Sequence, residues 1–126
     1  MKKHRKGEWA IRVIRGATTT ENTKDAIFKD TVALIEEILK RNNLKKENLI
    51  SIFFSATKDL NAAYPAEAVR KEMGFDDVPM MCFQEMEVMG SLSKCIRVAV
   101  FTNIEESQKI NHVYLKEAKN LRPDLA

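Results

Sequence analysis

The sequence predicts an α/β or α+β domain built on one mixed sheet, and three observations predict it. Short apolar runs rich in Val, Ile and Phe recur along the chain. Segments with helical spacing and helix-end residues lie between them. The 126 residues are enough for one domain with a real core and too few for two. Strands and helices in this order make a sheet with helices packed against it.

The first strand is read from "EWAIRVIRG", where Trp9, Ile11, Val13 and Arg15 share one face and Ala10, Arg12 and Ile14 the other. Gly16 is expected to end it. "TKDAIFKDTVALIEEILKRNN" is the clearest helix, with Phe28, Val32, Ile35 and Leu39 at i, i+4, i+7 and i+11, Thr23 as N-cap and Asn42–Asn43 as exit. "NLISIFFSAT" is a second strand, apolar on both faces until Ser55, as a central strand should be. "YPAEAVRKEMGF" reads as a short helix with Pro65 in its first turn and Gly74 as its left-handed stop. "VPMMCF" and "SKCIRVAVFT" are the third and fourth strands. "EESQKINHVYL" reads as a third helix, and "KEAKNLRPDL" as its continuation or a last strand, ended by Pro123. One sheet with few helices covers only part of its own faces, so packing against the sheets of other subunits is expected.

Composition excludes several classes of function. The net charge of +3 comes from the head, since four cations among the first six residues leave 17 basic against 18 acidic residues in the rest. Residues 1–8 read as a basic, solvated N-terminal tail on a single domain of residues 9–126. Such a balance carries no phosphate-binding footprint, so no nucleic-acid partner is expected. No stretch approaches the ~20 apolar residues that span a bilayer, and Glu8 and Arg12 interrupt any signal-peptide core. Cys82 and Cys95 form no CxxC and have no His pair nearby, which argues against zinc and against a disulfide framework. Reduced thiols in a cytoplasmic protein fit best. His4 and His112 have no partners at metal-ligand spacing.

The arginines carry the chemistry. Six of the seven residues from Cys95 to Phe101 are apolar, and the seventh is Arg97. Burying a guanidinium without an anion costs several kcal/mol. Arg15 stands on the same face as Trp9, Ile11 and Val13, Arg122 lies in "NLRPDL", and Arg70 projects from the short helix. A structural ion pair with Glu85 or Glu87 is the default for any one of them. Several arginines beside strands with so few acidic neighbours point instead to an anionic ligand, because forked donors match carboxylate oxygens two at a time.

Four ordered blocks, "IRVIRGATT", "SATKDLNAAYPAEAVR", "VPMMCFQEMEVMGSLSKCIRV" and "HVYLKEAKNLRPDL", together resemble the monofunctional chorismate mutases of the AroH class. The resemblance runs from Ile11 to Leu125. It implies a mixed five-stranded sheet flanked by helices, three subunits forming a pseudo-α/β-barrel, and active sites at the interfaces. It also implies a cofactor-free isomerase that converts chorismate to prephenate on the way to phenylalanine and tyrosine. By the same resemblance Arg97 meets the ether oxygen, Arg15 a substrate carboxylate, Glu85 the ring hydroxyl and Tyr114 the substrate through its own hydroxyl. Cys82 is then a lining group, Arg122 helps close the site, and Met80 and Met81 supply apolar wall. Tyr64, Ala66 and Arg70, in "YPAEAVR", belong to the edge given by a neighbouring subunit. Strict alternation puts Cys82 and Glu85 on opposite faces, so the chain is expected to leave strand geometry after Cys82 if both line one pocket. Glu67 departs from the family pattern, which has lysine there, so it either points to solvent or weakens affinity. The chain also stops one residue after Leu125, so closure is expected to depend on less tail. A trimeric imine deaminase and a non-catalytic dicarboxylate-binding trimer are the rival readings.

Overall fold

The computed structural model describes residues 7–124, so Met1 to Lys6 of the expected tail, including His4, and the last two residues lie outside it. Strand β1 runs from Trp9 to Thr19, three residues past the glycine expected to end it. Gly16 is needed there for space. A Cβ on Gly16 would stand 2.9 Å from Ile38 Cδ1 and 2.9 Å from the Val113 carbonyl oxygen. The glycine thus lets a helix and a neighbouring strand close on β1 at one point.

Helix α1 (Lys24–Arg41) begins as expected, the Ala26 N–H donating to Thr23 Oγ1 at 3.1 Å, and ends at Asn42. Its buried stripe is Ile27, Thr31, Leu34, Ile35 and Ile38, so Phe28, Val32 and Leu39 flank the core face rather than define it. Both stripes satisfy a 3.6-residue period, and only packing chooses between them. Strand β2 is Leu49–Ala56, and helix α2 is Pro65–Met73, with Pro65 opening it and Gly74 closing it at φ 69°. Strands β3 (Met80–Gln84), β4 (Cys95–Glu105) and β5 (Val113–Tyr114) complete a five-stranded sheet of order β3-β2-β4-β1-β5. The sheet is mixed. β4 is antiparallel to β1 and β2, while β5 runs parallel to β1 and β3 parallel to β2.

The two faces of this sheet differ. Ile14, Ile52, Phe54, Ile96, Val98, Val100 and Ile104 turn toward the helices and join Ile27, Leu34, Ile35, Ile38 and Val69 in one buried core. Residues that share the opposite face by direct cross-strand pairing include Trp9, Ile11, Val13, Arg15, Phe53, Met81, Phe83, Arg97 and Phe101. Neither α-helix covers this face, and only the 3-10 turn over Lys116–Asn120 packs on one corner of it, through Ala118 against Ala17 and Cys95. Trp9 remains 62% exposed, Ile11 68% and Met81 55%. Phe53 packs edge-on against Phe83 and tilted against Phe101, with ring centroids 5.7 and 5.2 Å apart, so three rings from three strands touch across the face.

The expected third helix is absent. β4 continues to Glu105, paired with Trp9, and residues 106–112 are held as a loop. The loop is pinned by side chains. Arg12 Nη1 donates to the carbonyls of Glu106 and Gln108 at 2.6 and 3.1 Å. Asn42, only 2% exposed, donates through Nδ2 to the Ile38 and Asn111 carbonyls and accepts the Asn111 N–H at 2.7 Å. Backbone groups already engaged in this way cannot enter a helical ladder. Beyond β5 the chain forms a 3-10 turn over Lys116–Asn120, neither strand nor longer helix, anchored by Lys116 Nζ on the Asp30 carboxylate at 2.7 Å.

Because a backbone oxygen on Val113 cannot swing away, Gly16→Ala should destabilise the fold by about 1–3 kcal/mol, the range for overpacking a tight core. Urea unfolding should show the midpoint falling at unchanged slope.

Candidate active site

The registers of β1 with β4 and β5, and the turn after β5, set four candidate side chains around one small cavity. Arg15 pairs with Ala99 and Arg97 with Ala17, placing both guanidinium groups on the helix-free face. β5 brings Tyr114 opposite Ala17, and the turn after it brings back Arg122. Arg15, Arg97, Tyr114, Leu121 and Arg122 line a cavity of about 150 Å³. Beneath it Ala17, Cys95, Tyr114 and Ala118 form a second buried cluster, covered by Leu92 and Leu121.

Glu85 joins this group from the far strand. It follows β3, its N–H donating to the Ala56 carbonyl at 2.9 Å, and its side chain reaches Arg97, with Oε2 3.3 Å from Arg97 Nε. Arg97 Nε is shielded from solvent and not aligned for a hydrogen bond to that oxygen. Arg122 pairs with Asp124 at 2.9 Å on the surface. Among the described residues, no carboxylate pairs with Arg15. Three guanidinium groups thus converge with one inward carboxylate, an excess of positive charge beside open space. That arrangement suits an anion with more than one carboxylate.

The remaining expected site residues gather elsewhere. Tyr64, Glu67, Cys82 and Lys24 line a cavity of about 570 Å³ between helix α2 and the β3 edge. None of Arg15, Glu85, Arg97, Tyr114 and Arg122 lines this second cavity. β3 keeps its alternation through Gln84 and the chain leaves strand geometry at Glu85, with Cys82 on the helix side beside Phe54 and Glu85 on the other side, so the two do not line one pocket of a single copy. Burial pushes the Cys82 thiol up, opposed by the Ala66 backbone, and the net shift favours the protonated form. Ala66 and Met80 pack against the core, Met81 stands on the bare face, and Tyr64 and Arg70 are exposed.

A family model for chorismate mutase type I matches residues 11–125. The chain belongs to that family. It is 48% identical over 119 residues to the chorismate mutase AroH of Bacillus subtilis, covering 92% of this chain and 93% of the relative. Its identity to the chorismate mutase AroH of Thermus thermophilus is 42% over 118 residues, covering 91% and 96%. The solved chorismate mutase of Clostridium thermocellum superposes with a TM-score of 0.83 at 47% identity, over 86% of this chain and 98% of that one. This chorismate mutase is therefore an isomerase on the same mixed sheet as its relatives.

Three contacts around the site escape a reading of the mutase sequence alone. Ser55 Oγ donates to Glu85 Oε2 at 2.6 Å, from a residue legible only as the end of an apolar run. His112, expected on a helix, instead accepts the Arg15 N–H on Nδ1 at 2.9 Å and so joins the β5 approach to β1. Glu67 does not simply face solvent. Its Oε1 lies 3.1 Å from Lys71 Nζ and 3.9 Å from Lys24 Nζ. The Lys71 hydrogen bond, ahead of any other effect, holds the Glu67 carboxyl below its usual range.

Burial, then the charges of Arg15 and Arg122, push the His112 imidazole below its ordinary 6.5. The folded chain therefore resists a proton that the unfolded chain accepts. Stability should be whole above about pH 6.5 and fall as pH drops through that value and toward the folded pKa. Urea midpoints measured from pH 8 to pH 5 should show this decline, and His112→Gln should flatten it.

Proposed function

We propose that the chain rearranges chorismate to prephenate at sites shared between three copies of itself, each site joining the arginine cavity of one copy to the α2 edge of another. Family membership carries the reaction. The separation of Tyr64 and Cys82, at the cavity beside α2, from Arg15, Arg97, Tyr114 and Arg122, at the arginine cavity, supports the sharing, because neither cavity of a single copy holds both groups. The bare sheet face supports the assembly. Trp9, Ile11, Phe53, Met81 and Phe83 are large apolar side chains left exposed together on one sheet face, the kind of surface that marks an interaction site. Homotrimeric closure would bury it in the manner of a pseudo-α/β-barrel.

The rearrangement is unimolecular and needs neither a covalent intermediate nor a proton transfer. The protein must hold an extended dicarboxylate in its folded, reactive conformer and meet the charge that grows on the ether oxygen as the C–O bond breaks. In our reading Arg15 and Arg122 take carboxylate oxygens and Tyr114 adds a hydroxyl donor. Glu85 accepts from the ring hydroxyl, and Arg97 faces the ether oxygen. A rigid sheet serves this well, since donors fixed before the reaction cost no reorganisation during it. The second copy supplies Tyr64, Ala66, Arg70, Cys82, Met80 and Met81 as the opposite wall. Both thiols are free, which fits a reducing cytoplasm as the place of action, with residues 9–126 working as one domain.

Loss of chorismate ultraviolet absorbance gives the rate. Arg97→Ala should lower kcat by at least about 10²- to 10³-fold, the scale of one lost transition-state donor, while staying folded and assembled. Retained turnover would sink the mechanism. Sedimentation should return a mass near three times the 14.4 kDa of one chain, and Trp9 emission should shift to the red on dissociation. Glu67→Gln frees Lys24 and Lys71 and should lower KM about two- to five-fold at low salt with kcat unchanged.

A further inference from the structure

We infer that Ser55 is a positioning residue for the reaction, acting by dividing the labour between the two oxygens of Glu85. The inference rests on the reading that Arg97 and Glu85 face the substrate. β2 and β4 are antiparallel and pair Ser55 directly with Arg97, so the hydroxyl and the guanidinium stand side by side on the helix-free face. Glu85 folds over both from the end of β3, tied through its own N–H to the Ala56 carbonyl at 2.9 Å. Ser55 Oγ–H donates to Glu85 Oε2 at 2.6 Å, and the same oxygen lies 3.3 Å from Arg97 Nε. The hydrogen bond from Ser55 goes to Oε2, and Oε1 accepts no hydrogen bond among the described residues.

The consequence is geometric. An aspartate or glutamate beside an arginine tends to close a fork, with two oxygens on two N–H groups. Such a fork would neutralise Arg97 and turn its donors away from the cavity. The short bond from Ser55 holds Oε2 at the strand pair, so that the carboxylate meets the guanidinium without closing a hydrogen-bonded fork. The contact to Nε is accordingly an ion-pair distance without hydrogen-bond alignment. Oε1 stays free to accept a hydroxyl, and the remaining N–H groups of Arg97 stay free to donate. Ser55 itself need not touch the substrate.

The test compares Ser55→Thr with Ser55→Val, which have the same shape and differ in the hydroxyl, so packing changes fall equally on both. In the assembled full-length protein, Ser55→Thr should keep kcat within about threefold of the parent. Ser55→Val should lose roughly tenfold or more, the scale of a hydrogen bond to a charged group, with KM moving less than kcat. The same pair built on Glu85→Ala should differ by less than about twofold, because there is no carboxylate left to position. Equal turnover of the Thr and Val variants overturns the inference, and so does a Thr-to-Val ratio that persists without Glu85. Ser55→Ala, which only removes atoms, gives the same readings if either larger side chain fails to assemble. Failure of the underlying site reading is separate and visible, since Arg97→Ala would then retain activity.

Discussion

Everything functional in this chain depends on a sheet with helices on one face only. The covered face holds Ile14, Ile52, Phe54, Val98 and Val100 against α1 and α2 and supplies the stability of the fold. The open face carries both an exposed apolar surface and the arginines of the candidate site. These two demands coexist because a strand alternates. Arg97 and Arg15 can stand toward the ligand while their neighbours Val98 and Ile14 lie in the core. A charged group set on a core strand loses little chain entropy on meeting its ligand, and this suits a reaction that asks only for shape and charge.

The carboxylate in the site is handled with the same economy. Glu85 is both the nearest threat to Arg97, as a neutralising partner, and a candidate acceptor for the substrate. Its backbone is fixed by Ala56 and its side chain by Ser55, so the ion pair with Arg97 remains partial. In the proposed mechanism such a partial pairing would leave the cation available to the substrate, where full closure of a salt bridge would silence it. On the opposite rim Glu67 shows the surface version of the same restraint, bracketed by Lys24 and Lys71 so that its charge is largely met by its own neighbours.

The arginine pattern and the four sequence blocks made the chemistry legible before any coordinates, because a guanidinium in an apolar run is costly enough to demand a reason. The core strands and α2 were legible too, from Pro65, Gly74 and the apolar runs. Residues 105–115 were not. Their helical spacing is real, but Arg12 and Asn42, both distant in sequence, take the backbone groups that a helix needs. Gly16 misled in the same way, since a glycine that stops a strand and a glycine that admits Ile38 and Val113 look alike in one dimension.

By itself the sequence determined the mixed-sheet fold class and the family and singled out candidate site residues, since these follow from local periodicity, from the energetic cost of charge on apolar strands and from ordered motifs. Tertiary structure alone decided which helix stripe is buried, where β1 ends and which oxygen of Glu85 meets Ser55. It also showed that the expected site residues fall into two separate sets. Those outcomes turn on contacts between segments tens of residues apart, whose energies no local pattern encodes.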